Sequence, residues 1–183
     1  MARIDNKFNK ISKEYDNEMA ESTSHIKNKP ANPFMLQAIE EARTGINSNH
    51  GGPFGCIIVK NGQIIGRGHN QVVLNKDATC HGEIQAIRDA SKTLNSFDLT
   101  GCELYTTGEP CSMCLSACIW ANISKVFYGA KLEDNELIGF RDVKIDKMLG
   151  GRKNLPFTYK ELNRKECLKL FEEYKNLKNK TNY

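Results

Sequence analysis

Residues 53–70 read PFGCIIVKNGQIIGRGHN, two β-branched runs joined by Asn61-Gly62. Asn-Gly suits a type I′ turn, in which both central residues need positive φ and the twist matches that of the strands it joins. The stretch therefore predicts an antiparallel hairpin. After it the periodicity alternates. HGEIQAIRDASKTL (81–94) has the spacing of a helix, CELYTT (102–107) of a strand, PCSMCLSACIWAN (110–122) of a helix and KVFYGA (125–130) of a strand. A β-β-α-β-α-β order with short connections predicts an α/β fold, a central mixed sheet with helices packed on its faces.

Upstream, PFMLQAIEEARTG (33–45) places Phe34, Leu36, Ala38, Ile39 and Ala42 at near-helical spacing and is expected to stop at Gly45. Downstream, residues 135–148 show no clear period, whereas ECLKLFEEYKNL (166–177) sets Leu170, Phe171, Tyr174 and Leu177 on one helical face. Residues 1–32 mix charges with Asn and Ser and lack an apolar period, so a flexible or loosely docked extension is expected there, with the functional domain over 33–183. The 183 residues and 39% hydrophobic content fit one such domain.

No apolar run nears the length of a membrane span, and the first residues lack the apolar segment of a secretory signal, so a cytoplasmic protein is expected. Seven cysteines in such a chain are an odd number of thiols in a reducing compartment. Metal ligation and core packing are the roles to weigh for them. A net charge of +4 argues neither for nor against nucleic acid, and the basic residues beyond Gly151 suit a solvated helix face.

Two motifs carry chemistry. His81-Gly82-Glu83 opens a helix; on its own it is either the polar start of an amphipathic helix or a metal ligand followed by a proton carrier. Pro110-Cys111-Ser112-Met113-Cys114 opens the next one, with Pro110 suited to a first helical turn, where its missing N–H costs nothing. The two cysteines, three apart, fit one chelated ion, a redox pair, or two small core residues. Together the motifs narrow the choice, because both begin helices that follow strands and can converge at one sheet edge. His81, Cys111 and Cys114 would hold zinc and leave its fourth position open, the arrangement of a catalytic site. Glu83 is then the general base and acid, provided it is not itself a ligand.

The pairing H-x-E and P-C-x-x-C is the signature of zinc deaminases. On it the chain resembles the cytidine deaminase-like superfamily, with its three-layer α-β-α fold. Within that superfamily it is most similar to small bacterial guanine deaminases, through GGPFG, GHN, DATCHGE, EPCSMCLSACIWA, VFYGA, IGFRD and LPF. The resemblance implies zinc-dependent hydrolytic deamination of a purine base, guanine to xanthine and ammonia. Other bases or nucleosides, including adenosine in tRNA, are the alternative substrates, and a non-catalytic zinc-stabilised module is the alternative class. It also implies that Asn70 hydrogen-bonds the substrate ring, that Phe54, Gly82 and Trp120 line the pocket, and that Asp142 recognises or deprotonates the base. Tyr183 would close the active site of the partner in a homodimer, through a tail from about residue 151 exchanged between subunits. His69, His25 and His50 read as packing or loop residues, and Cys56, Cys102 and Cys118 as core.

Overall fold

The computed structural model describes residues 30–178 and 180, and all that follows concerns the unit that begins at Ala31. The expected extension falls almost wholly outside the described residues, as do His25 and Tyr183. Helix α1 spans Pro33–Asn47. Asn32 caps it by accepting from the N–H groups of Phe34 and Met35, and Pro33 occupies its first position. The apolar stripe that it buries is Met35, Ala38, Ile39, Ala42 and Ile46. Leu36, expected on that face, is exposed instead. Gly45 does not end the helix either: a Cβ there would meet the His69 ring at 2.7 Å, so this glycine admits a close contact and the chain turns at Ser48.

Strands β1 (Gly55–Lys60) and β2 (Gln63–His69) form the expected hairpin. Asn61 and Gly62 have φ of 50° and 76°, as a type I′ turn requires. The register shifts between Ile58 and Val59. The short helix α2 (Val72–Asn75) leads to α3 (Gly82–Leu94), β3 (Glu103–Gly108), α4 (Ser112–Trp120) and β4 (Lys125–Ala130). The unassigned stretch folds as two short helices, α5 (Leu132–Leu137) and α6 (Asp142–Met148). A strand not anticipated from the sequence, β5 (Thr158–Glu161), and a final helix α7 (Arg164–Lys175) complete the chain.

The sheet runs in the order β2-β1-β3-β4-β5, with β1 antiparallel to both neighbours and β3, β4 and β5 parallel. Helices α1 and α7 touch each other and pack against the sheet, where Tyr105 stacks on Phe127 and meets Phe34. On the opposite face, Ala86 and Ala90 of α3 and Cys118 of α4 join Cys56, Ile58, Leu104 and Val126 in one buried cluster. Helices on both faces explain why β1 buries five successive residues rather than alternating. All seven cysteines are buried and free, and Cys56, Cys102, Cys118 and Cys167 serve as small core residues.

Truncation separates the two faces of α1. Met35→Ala is expected to cost about 2–5 kcal/mol of unfolding free energy and Leu36→Ala under about 0.5 kcal/mol, read from urea midpoints with unchanged slopes.

Candidate metal centre

Strands β2 and β3 both run antiparallel to β1, so they end at the same edge of the sheet. The chain leaves β2 through α2 into α3 and leaves β3 directly into α4, and both helices therefore begin near that edge. Their N-caps are His81 and Cys111, each in extended conformation and neither making a side-chain cap. That is unusual chemistry for a position that favours Ser, Thr, Asp or Asn. The side chains turn toward each other instead. His81 Nδ1 lies 3.6 Å from Cys111 Sγ and 3.6 Å from Cys114 Sγ, and the three ligand atoms all fall within 4.8 Å of one another. Because Cys111 is the cap, Ser112 rather than Pro110 opens the helix, and the proline sits just outside it.

The donor set fits zinc. Zn–S bonds of about 2.3 Å and Zn–N bonds of about 2.0–2.1 Å at a tetrahedral angle place nitrogen and sulfur about 3.6 Å apart, which is the separation observed. The protein groups alone already favour a thiolate. A hydrogen bond from Cys114 and the nearby imidazolium of His81 bring Cys111 down to about 4 against its burial. Cys114, sharing its proton with Cys111 and buried, is pushed well above the usual thiol range. Burial works to lower His81, yet the hydrogen bond to Cys111 and the negative charges of Cys111, Glu83 and Asp142 raise it to about 9.

Glu83 lies in the first turn of α3, buried, where the helix dipole favours a carboxylate. Burial and the Cys111 thiolate outweigh that and raise it to about 7. Thr106, on β3 and absent from the residues singled out in the sequence, gives it a long hydrogen bond of 3.4 Å through Oγ1. Gly82 packs against the backbone of Phe54, whose carbonyl oxygen would be 2.8 Å from a Cβ. Asn70 follows β2, is buried, and donates its backbone N–H to that same Phe54 oxygen. Its Oδ1 accepts from Val72 N–H at 3.1 Å, a loop cap that leaves Nδ2 out of these bonds. His69 beside it is a packing residue, with Nε2 2.9 Å from His50 Nδ1 and Nδ1 3.5 Å from Glu41.

Asp142 opens α6 and lies close enough to His81 and Cys111 to sense their charge. Its Oδ2 accepts from Asn135 Nδ2 at 2.9 Å, while burial, the larger effect, raises its pKa. Phe54 is buried with its ring against Phe140 and Phe171. Trp120 ends α4, six residues beyond Cys114, with 85% of its surface exposed within one chain.

Metal binding displaces protons from this set, since it needs neutral imidazole and two thiolates. With the imidazole pKa raised to about 9, protons compete with metal below that pH. The apparent zinc affinity is expected to fall on acidification from pH 8 to pH 6, by roughly tenfold per pH unit for each proton released. Chelator competition at several pH values measures it; an affinity independent of pH over that range would rule out this ligand set.

Comparison with known proteins agrees with the geometry. A profile of the cytidine and deoxycytidylate deaminase zinc-binding region matches residues 28–130. The guanine deaminase of Bacillus subtilis (strain 168) is 41% identical over 153 residues, which cover 82% of this chain and 97% of the relative. The tRNA-specific adenosine deaminase of Aquifex aeolicus (strain VF5) is 44% identical over 97 residues, 53% of this chain and 64% of the relative. Among solved structures, the guanine deaminase from Nitrosomonas europaea superimposes with a TM-score of 0.70 at 29% identity, covering 84% of this chain and 90% of that one. With its mixed sheet, its two helix-borne ligand motifs and these relatives, the chain belongs to the zinc-dependent cytidine and deoxycytidylate deaminase family.

Proposed function

We propose that the chain hydrolyses guanine to xanthine and ammonia. The observation that carries the deaminase reading is a buried carboxyl, Glu83, held beside three zinc donors without belonging to their cluster. A purely structural zinc site has no use for it. In sequence, the guanine deaminase relative aligns with 82% of this chain and the tRNA-specific relative with 53%. That longer alignment in sequence supports the free base over RNA as substrate.

In this reading His81, Cys111 and Cys114 hold the ion. Bound zinc supplies acidity, bringing the pKa of a coordinated water toward neutrality. Glu83 takes that proton as water adds at C2 of the ring and returns it to the departing amino group, which leaves as ammonia. A carboxyl poised at about 7 suits both transfers at neutral pH. Asn70 orients the ring through the amide nitrogen not engaged in its loop bonds, and Asp142, steadied by Asn135, recognises the purine edge. Phe54 and Gly82 form the wall against which the base lies.

The exposed Trp120 and Ile119 of α4, Ile145 and Met148 of α6 and Leu149 just after it support a homodimer that covers them and supplies Trp120 to the assembled pocket. Exchange of the tail, with Tyr183 reaching the partner, belongs to the same proposal. A cytoplasmic place in the breakdown of purine bases accords with it.

Glu83→Gln is expected to retain one zinc per chain while ammonia release from guanine falls by about 10²–10⁴-fold. The assay is an ammonia-release screen over guanine, adenine, cytosine, their nucleosides and a tRNA, with zinc measured on the same sample. Turnover of another ring with guanine inert would transfer the reading to that substrate, and full activity of the Gln variant would end the role given to Glu83.

A further inference from the structure

A second polar cluster lies against the Pro110–Cys111 turn, and none of its members is needed as ligand or proton carrier. Arg152 donates from Nε to Asp146 Oδ1 at 2.9 Å and from Nη1 to Glu109 Oε1 at 3.0 Å and to the Tyr159 hydroxyl at 2.6 Å. The same Tyr159 hydroxyl donates to Glu109 Oε1 at 3.0 Å. Glu109 Oε2 accepts from the N–H of Leu132, and Ser112 Oγ donates to Asp146 Oδ1 at 3.2 Å. The guanidinium and both carboxylates are largely buried. By contrast the Arg43–Glu173 pair is solvent-exposed, and such pairs contribute little.

The placement of these partners points to a purpose. Glu109 stands two residues before Cys111 and Ser112 one residue after it, so the ligand's backbone is held from both sides through one guanidinium. The far end of the bridge, Asp146, lies one helical turn beyond Asp142 on α6. We propose that Arg152 is a positioning residue of the metal centre: it fixes the Pro110–Cys111 turn against the start of α6, so that Cys111 is presented to the ion with its geometry set before the ion arrives.

This rests on His81, Cys111 and Cys114 being the ligands. The planar fork matters, because one group must reach two carboxylates in different directions; a lysine ammonium keeps the charge and loses the fork. Partners behind first ligands tune metal affinity in this way, by fixing the ligand rather than touching the ion.

The test is zinc affinity of the full chain, by chelator competition at fixed pH, with melting temperature recorded alongside. Arg152→Lys and Asp146→Asn are expected to weaken zinc binding by about 10–100-fold. Leu170→Ala, a core truncation on α7, is expected to lower the melting temperature with zinc affinity unchanged. Arg152→Lys keeps the positive charge between the two carboxylates, so the measurement does not depend on leaving them unpaired. Wild-type affinity in Arg152→Lys would overturn the proposal, as would an equal loss of affinity in Leu170→Ala. A wild-type chain that holds no zinc would overturn the ligand reading as well, which distinguishes the two failures.

Discussion

Two helices begin with residues that decline to cap them. His81 and Cys111 occupy N-cap positions in extended conformation, and each directs its side chain across to the other helix instead of back to its own N–H groups. Giving up a cap costs roughly 1 kcal/mol per helix, and the exposed amide dipoles that remain favour negative charge nearby. The Cys111 thiolate and the Glu83 carboxylate are the groups that meet that field. The sheet order serves this one meeting: with β1 running against both neighbours, β2 and β3 point the same way and deliver their helices to one edge. Were β2 parallel to β1 instead, the histidine and the cysteines would start from opposite ends of the sheet.

The fold and the ligands were legible in the sequence for the same reason: each signal is local. Asn61-Gly62 declares its turn in two residues, and H-x-E and C-x-x-C each place their groups within a single helical turn. Signals that depend on distant partners were not legible. Strand β5 is mostly exposed and lies at the sheet margin, so no buried alternation marks it. Gly45 looked like a helix stop and is a contact point for His69, a residue 24 positions on in sequence. Leu36 lies on an exposed face of its helix, while Met35 beside it takes the core position. At the site, Thr106 reaches Glu83 across 23 residues and Arg152 reaches Glu109 across 43. Neither Thr nor Arg carries a motif of its own, and only the assembled fold brings them to their partners.

The two residues proposed to meet the substrate are held differently from the metal donors. Asn70 is held by its neighbours' backbone and by a short loop: its N–H binds Phe54, its Oδ1 binds Val72, and the adjacent His69 leans on His50 and Glu41. Asp142 is held through Asn135, whose own carbonyl accepts from Ile138 and Phe140. In the proposed reading, such anchoring before a ligand arrives would limit the entropy lost on binding. The aromatic contacts of Phe54 with Phe140 and Phe171 tie that rim to α7, so the last helix contributes to the shape of the site without lending it a polar group.

The burial of every thiol divides the seven cysteines by their exposure to oxidants. Cys56, Cys102, Cys114, Cys118 and Cys167 are wholly enclosed, and Cys80 nearly so, whereas Cys111 keeps a small accessible surface and is the sulfur held as thiolate. Thiolate character and access together decide which sulfur a peroxide reaches first. Among the thiols, oxidation is thereby directed to one sulfur, and that sulfur belongs to the metal-binding cluster. An ion held by Cys111 would also shield it, so loss of zinc and vulnerability to sulfenic acid formation would be two faces of the same event.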